Sequence, residues 1–412
     1  MSQILRAPAL TVTTRHSAAA YPWTLGVDLP DGVPIGVNVL SGGTAFGYDP
    51  WACYAAGVVS SPNMLVAGQL GRGKSALVKT YLARQLAAGR RAYVLDPKGE
   101  YAPLAQVTGM TVIRLRPGGP HRLNPLDPPL HAKMAAEVAA ARTAVLTTLA
   151  TTGTGAALSA EERAALAAVT ADLNEHAVLR DVVDALLDPS AAVAAALSTT
   201  PARLAAASRP LALALHRLLT GDLAGMVDTA TTVRLAPHLP GVVVDLSAVH
   251  GSDALAPVMV CAGAWLTAAV SARTRSRKLL RVDEAWAVLA HSATTRWLQQ
   301  VSKLARAHGV QLITVVHRLS DLSAQTDAGT AAHAQALGLL ADAETRVVYA
   351  QAPGERARAR ELLDLSTAET ALVTALPPHR ALWRVGGHTA LVDHVLTGAE
   401  RVMTDTDQAM RP

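Results

Sequence analysis

The sequence predicts an α/β fold: a mostly parallel β-sheet flanked by helices and interrupted by an all-helical insertion. Three observations lead there. Short Val/Leu runs without polar alternation recur along the chain, as in strands covered on both faces. Helical stretches separate them, the order expected of parallel crossovers. Between residues 128 and 237 the strand signal stops and Ala/Leu segments of helical period take over.

Composition supports this class. Half of the 412 residues are hydrophobic but only 3% are aromatic, with a single Phe, so the apolar content is Ala, Leu and Val. That suits Ala-rich helices and Val-rich strands better than a β-sandwich or an aromatic nucleic-acid platform. A charged fraction of 17% excludes a wholly disordered chain. The net charge of +5 is spread along the chain, mostly as arginine, and permits contact with nucleic acid without demanding it. Cys53 and Cys261 are too few for a disulfide framework or a zinc site, and no structural metal is expected.

Taken in order, residues 1–60 form a short N-terminal extension with edge strands; Arg6 and Arg15 interrupt its apolar residues, so it does not read as a signal peptide. Residues 61–127 hold the first part of the core, with strands at Met64–Ala67, Ala92–Leu95 and Thr111–Leu115. The helical insertion, 128–237, contains a capping box at Ser159-Ala-Glu-Glu162 and a Leu204, Leu211, Leu215, Leu218 stripe, with a loop expected at Thr151–Gly155. Residues 238–412 complete the core, with strands at Val242–Leu246, Leu279–Val282, Gln311–Val316 and Arg346–Tyr349, followed by a C-terminal tail. The apolar stretch Leu255–Val270 contains Pro257 and Gly263 and is too short to span a bilayer; it reads as a buried core helix.

The chemistry centres on Gly68-Gln-Leu-Gly71-Arg72-Gly73-Lys74-Ser75, followed by Ala76. It matches GxxxxGK[ST] with an apolar strand before it and a helical pattern after it, the context a phosphate-binding loop requires. Glycines let the backbone wrap phosphate oxygens so that successive N–H groups and a helix N-terminus face the anion. Lys74 then bridges the β- and γ-phosphates of ATP, and the Ser75 hydroxyl ligates Mg²⁺. Such a loop needs a carboxylate at a strand end. Asp283 and Glu284 follow the run Leu279–Val282, Asp283 to hold the metal shell and Glu284 to orient the attacking water. In the competing reading they are a helix cap and a solvated first-turn acid. HExxH, paired CxxC and GxSxG patterns are absent, and the 14 histidines show no ligand spacing.

Gly68–Ser75, Val94-Leu-Asp96-Pro-Lys98-Gly-Glu100-Tyr101, Leu123-Asn-Pro-Leu-Asp127 and Val282-Asp-Glu-Ala-Trp286 together resemble the motor domain of conjugative type IV secretion ATPases of the HerA/FtsK superfamily. The resemblance runs in order from about residue 35 to the C-terminus. It implies a RecA-like core, a homo-hexameric ring with ATP between subunits, and docking on membrane-embedded secretion or conjugation subunits at the cytoplasmic face of the membrane. It also implies a role for Arg306 as an arginine reaching across the subunit interface, where the plain alternative is a cation in the last turn of a helix ending at Gly309. His317 stands where the family more often carries a γ-phosphate-sensing glutamine; an imidazole offers one hydrogen bond there, and a backbone-bonded strand-end histidine is the alternative. Asp96, Lys98 and Glu100 fall beside the nucleotide site by this resemblance, either in contact with it or as solvated charges on a turn set by Pro97 and Gly99. The family's larger members carry an N-terminal membrane-docking domain, whereas the sequence before Gly68 is short. The implied function is an ATPase motor for substrate transfer or pilus assembly; a DNA translocase or coupling protein, and a nucleotide-gated scaffold with incidental hydrolysis, are the alternatives.

Overall fold

The computed structural model describes residues 29–127, 134–220, 223–233, 239–271, 276–283, 302, 308–317, 337–338 and 340–404. Along the chain come β1 (Val33–Asn38), β2 (Thr44–Tyr48), α1 (Pro50–Ala55), β3 (Met64–Ala67), α2 (Lys74–Ala87), β4 (Arg91–Asp96), α3 (Ala102–Thr108) and β5 (Thr111–Arg114). A helical series follows: α4 (Ala135–Thr154), α5 (Ala160–Asp172), α6 (Leu179–Leu187), α7 (Ala191–Ala196) and α8 (Pro201–His216). Then β6 (Gly241–Asp245), α9 (Leu255–Ser271), β7 (Lys278–Val282), β8 (Val310–Val316), β9 (Thr345–Val348), α10 (Arg356–Leu362), α11 (Thr367–Val373), β10 (Arg380–Val385), β11 (His388–His394) and α12 (Gly398–Thr404) complete it.

The chain divides into two units. The first comprises residues up to Gly89, the β8 segment from Gln311, and residues from Leu337 onward. Its strands run in the order β2-β1-β11-β10-β9-β3-β8. β3 pairs in parallel with β8 and β9, and the remaining neighbours are antiparallel. All four residues of β3 and all seven of β8 are buried, which explains their unbroken apolar runs. Several of the rare aromatics gather here: Phe46 and Tyr48 lie 5.2 and 5.4 Å from Trp383 between ring centroids, and Tyr48 lies 6.1 Å from Tyr81. Asp49 starts α1 by accepting from the backbone of Trp51 (3.0 Å) and Ala52 (2.8 Å), with Pro50 at the first helical position. Arg84 of α2 donates to the carbonyls of Pro34 and Val395 and pairs with Glu400, fastening α12 to α2.

The hairpin β10–β11 is not among the strands expected from the apolar runs. Its strands carry Arg380, Arg384, His388 and Asp393, which break the run, but Gly386-Gly387 between them is a hairpin signal.

The second unit runs from Arg90 to Val310. Its strand order is β7-β4-β6-β5, every pairing parallel. α4 to α8 form its helical part. The capping box opens α5 as the sequence predicts: Glu162 N–H donates to Ser159 Oγ (3.1 Å) and Ser159 N–H to Glu162 Oε2 (2.8 Å). The loop expected at Thr151–Gly155 is instead helix. α4 continues through Thr154, Thr151 and Thr152 return their hydroxyls to carbonyls one turn back, and Gly155 ends it at φ +69. α9 is the expected core helix, buried along most of its length. Among the described residues, no helix is long and apolar enough to cross a membrane.

Candidate functional site

The loop between β3 and α2 is shaped by its glycines. Gly68 adopts φ +151 and Gly73 φ +103. A Cβ on Gly68 would stand 2.5 Å from Tyr349 Cβ, and one on Gly73 would stand 2.8 Å from His379 Nδ1. Backbone bonds to neighbouring strand ends fix the loop: Gly68 N–H donates to Val316 O (3.3 Å), Gln69 N–H to Ala350 O (2.9 Å), and His379 N–H to Arg72 O (2.9 Å). His379 itself holds φ +63. Neither Tyr349 nor His379 carries a motif signal; each lies hundreds of residues along the chain from the loop it braces.

Lys74 opens α2 with Gly73 as N-cap, and no side chain caps that end. Its ammonium is buried and donates to the carbonyls of Gly68 (2.5 Å) and Gln69 (2.6 Å). Arg72 turns back onto Gln69 Oε1 (3.2 Å), while Ser75 and Ala76, in the first turn of α2, are half-buried. Gly71, at φ +71, is exposed. The loop therefore combines an uncapped helix start, a backbone curved through positive-φ glycines, and a lysine held against carbonyls that a phosphate oxygen can replace. His317 follows Val316, the residue whose carbonyl receives Gly68, and is half-buried.

In the second unit, acids stand at the ends of adjacent parallel strands. Asp96 ends β4 opposite Asp245 at the end of β6, and Asp283 follows β7, its N–H donating to Leu95 O (3.1 Å). Asp96 is fully buried, so it is not a solvated turn charge. Its Oδ1 accepts from Gly99 N–H (2.9 Å) and Glu100 N–H (3.2 Å), and its Oδ2 from Tyr101 N–H (2.9 Å). Burial pushes its carboxyl up to about 6, against the pull of the Tyr101 and Glu100 backbone bonds and with help from the charges of Asp283 and Asp245. Lys98 is exposed and Glu100 half-buried on the same turn. Asp245 accepts from Ser247 N–H (2.9 Å) and faces Arg114 at 3.4 Å. Asp283 is buried and paired with Arg281, a contact that the motif does not foretell; its only trace in the sequence is a cation inside an apolar run. Glu284 and Arg306 lie outside the described residues. Among the described residues, no group of His, Cys, Asp and Glu side chains converges to hold a metal by itself.

The arrangement of parallel strands and flanking helices is shared with known structures. The fold is that of RecA-like P-loop ATPases. VirB4 of Thermoanaerobacter pseudethanolicus matches with a TM-score of 0.76 at 18% identity, over 92% of this chain and 100% of that one. The bacterial conjugative coupling protein TrwB, lacking its N-terminal segment, matches at 0.57 and 16% identity over 82% and 86% of the two chains. TrwB in complex with ADP and Mg²⁺ matches at 0.53 and 15% identity, over 81% and 86%. Neither a protein-family model nor a curated protein sequence matches the chain.

Proposed function

We propose that the chain is the ATP-hydrolysing motor of a conjugation or type IV secretion system, working as a homo-hexameric ring and powering substrate transfer or pilus assembly. The observation that carries this reading is the glycine loop Gly68–Ser75, set between β3 and α2 in a fold shared with VirB4 over 92% of the chain. The likeness to VirB4 exceeds that to the coupling protein TrwB, 0.76 against 0.57 in TM-score, which favours a secretion motor over a DNA pump.

In this reading the backbone of Gly68, Gly71, Arg72 and Gly73, with the start of α2 at Ser75 and Ala76, receives the phosphates. Lys74 exchanges the carbonyls of Gly68 and Gln69 for β- and γ-phosphate oxygens, a swap of one set of acceptors for a more highly charged one. Mg²⁺ suits the hard oxygen donors of this chain, the Ser75 hydroxyl and the Asp283 carboxylate, and when bound it neutralises charge on the phosphates. Glu284 orients and polarises the attacking water, Arg306 offsets charge in a neighbouring subunit's transition state, and His317 donates one hydrogen bond toward the γ-phosphate. The motor works on the cytoplasmic side, peripheral to the membrane, against membrane-embedded partner subunits.

The test is nucleotide binding and turnover in paired variants. Lys74→Ala loses both, whereas Glu284→Gln keeps ATP binding and loses turnover. Wild-type turnover in Glu284→Gln refutes the assignment. ATPase activity stimulated several-fold by double-stranded DNA, and suppressed again by salt, moves the load from protein to DNA.

A further inference from the structure

β7 reads Lys278-Leu-Leu-Arg281-Val282 and every residue of it is buried. A guanidinium inside such a strand is costly unless its donors are met. Arg281, with 2% of its side chain exposed, meets them at the strand end: Nε donates to Tyr101 Oη (3.0 Å), and the terminal nitrogens donate to Val282 O and Asp283 Oδ1. The acids nearest in register are engaged differently. Asp96 is turned onto the N–H groups of its own loop, and Asp245 onto Ser247 N–H and the exposed Arg114. Of the strand-end carboxylates, Asp283 is thus the one joined to the buried cation, and its side chain keeps 11% exposure.

From this geometry we infer that Arg281 is an internal competitor of the divalent cation. It acts on the metal through Asp283, so it is a positioning residue: it holds the carboxylate at the strand end, and its positive charge lowers the affinity of that carboxylate for Mg²⁺ or Mn²⁺. Two physical effects have the same sign. One lone-pair site of Asp283 is committed to a charge-assisted hydrogen bond, and a fixed positive charge lies next to the place where a second one must arrive. The inference rests on Asp283 holding the metal shell, as proposed above.

The experiment measures Mn²⁺ affinity of the full chain with ADP bound, from the free Mn²⁺ signal in electron paramagnetic resonance. Arg281→Gln, which removes the charge but can still bond Tyr101, tightens Mn²⁺ binding on the order of tenfold, because a fixed positive charge no longer stands beside the carboxylate. Arg281→Lys keeps the charge and stays within about twofold of wild type. Unchanged or weaker binding in Arg281→Gln overturns the inference. If that variant does not fold, Tyr101→Phe provides the reading: losing the phenol acceptor shifts the guanidinium toward Asp283 and weakens Mn²⁺ binding, and unchanged or tighter binding overturns the inference. Asp283→Asn separates the two layers. If it leaves Mn²⁺ affinity unchanged, the metal role of Asp283 fails; if it weakens binding while Arg281→Gln has no effect, only the competitor role of Arg281 fails.

Discussion

Replacing Asp96 by Asn should remove a large pH dependence from the stability of the protein. The native carboxyl, fully buried, is pushed up to about 6 from an ordinary 3.8, chiefly by burial. A raised carboxyl favours the folded state while it is protonated. Its contribution is therefore complete below pH 3.8 and is lost as pH rises through about 6. The full span is about 3 kcal/mol, at ~1.4 kcal/mol per pH unit of displacement, of which roughly 2 to 3 kcal/mol falls between pH 4 and pH 7. Asn cannot titrate. Its carbonyl oxygen can keep the bonds from Gly99 and Glu100, but its amide nitrogen then faces the Tyr101 N–H, which costs about 1–3 kcal/mol. The variant should be less stable than wild type at pH 4 and should recover most or all of that deficit by pH 7. Urea unfolding midpoints at pH 4, 5, 6 and 7 measure the difference. Wild-type and Asn curves that run parallel across that range would refute both the raised carboxyl and its assignment to burial.

Two further outcomes follow from the first unit. Burial raises the Glu400 carboxyl, but the hydrogen bonds from Arg84 and Thr397 prevail and hold it down to about 2, so the pair's stabilisation is present above pH 4.5 and is lost as pH falls through 2. Arg84→Ala should destabilise by about 2–4 kcal/mol and release α12 from α2, read as faster amide exchange in Gly398–Thr404. Gly68→Ala places a Cβ 2.5 Å from that of Tyr349 at a φ that L-residues rarely adopt; it should cost about 2–4 kcal/mol in thermal unfolding and weaken nucleotide binding, and full retention of both would show that the loop can relax.

The elements most legible in the sequence were those whose determinants are contiguous. Met64–Ala67 is apolar throughout because both faces are covered, and the glycine spacing after it has few explanations other than a phosphate loop. The capping box at Ser159 was legible for the same reason, since donor and acceptor lie within one helical turn. The β10–β11 hairpin was harder. Its charged residues obscure the strand pattern: Arg380 pairs across the hairpin with Asp393, and Arg384 reaches the Leu363 carbonyl, so polar residues here serve specific partners. The Thr151–Gly155 stretch misled because Thr and Gly favour turns on average, yet here the threonine hydroxyls bond within the helix.

By itself the sequence determined the class of fold, the position of the glycine loop between β3 and α2, and the acids at the ends of β4 and after β7, because local order encodes strand, turn and helix. Tertiary structure alone decided what each charged group faces. Asp96 is buried on its own turn, Lys74 rests on two carbonyls, His379 abuts Gly73, and Arg281 meets a tyrosine that lies 180 residues earlier in the chain. The physical reason is that the energy of a charge depends on its partners and its distance from water. Both are set by strands that pair in space and lie far apart in sequence.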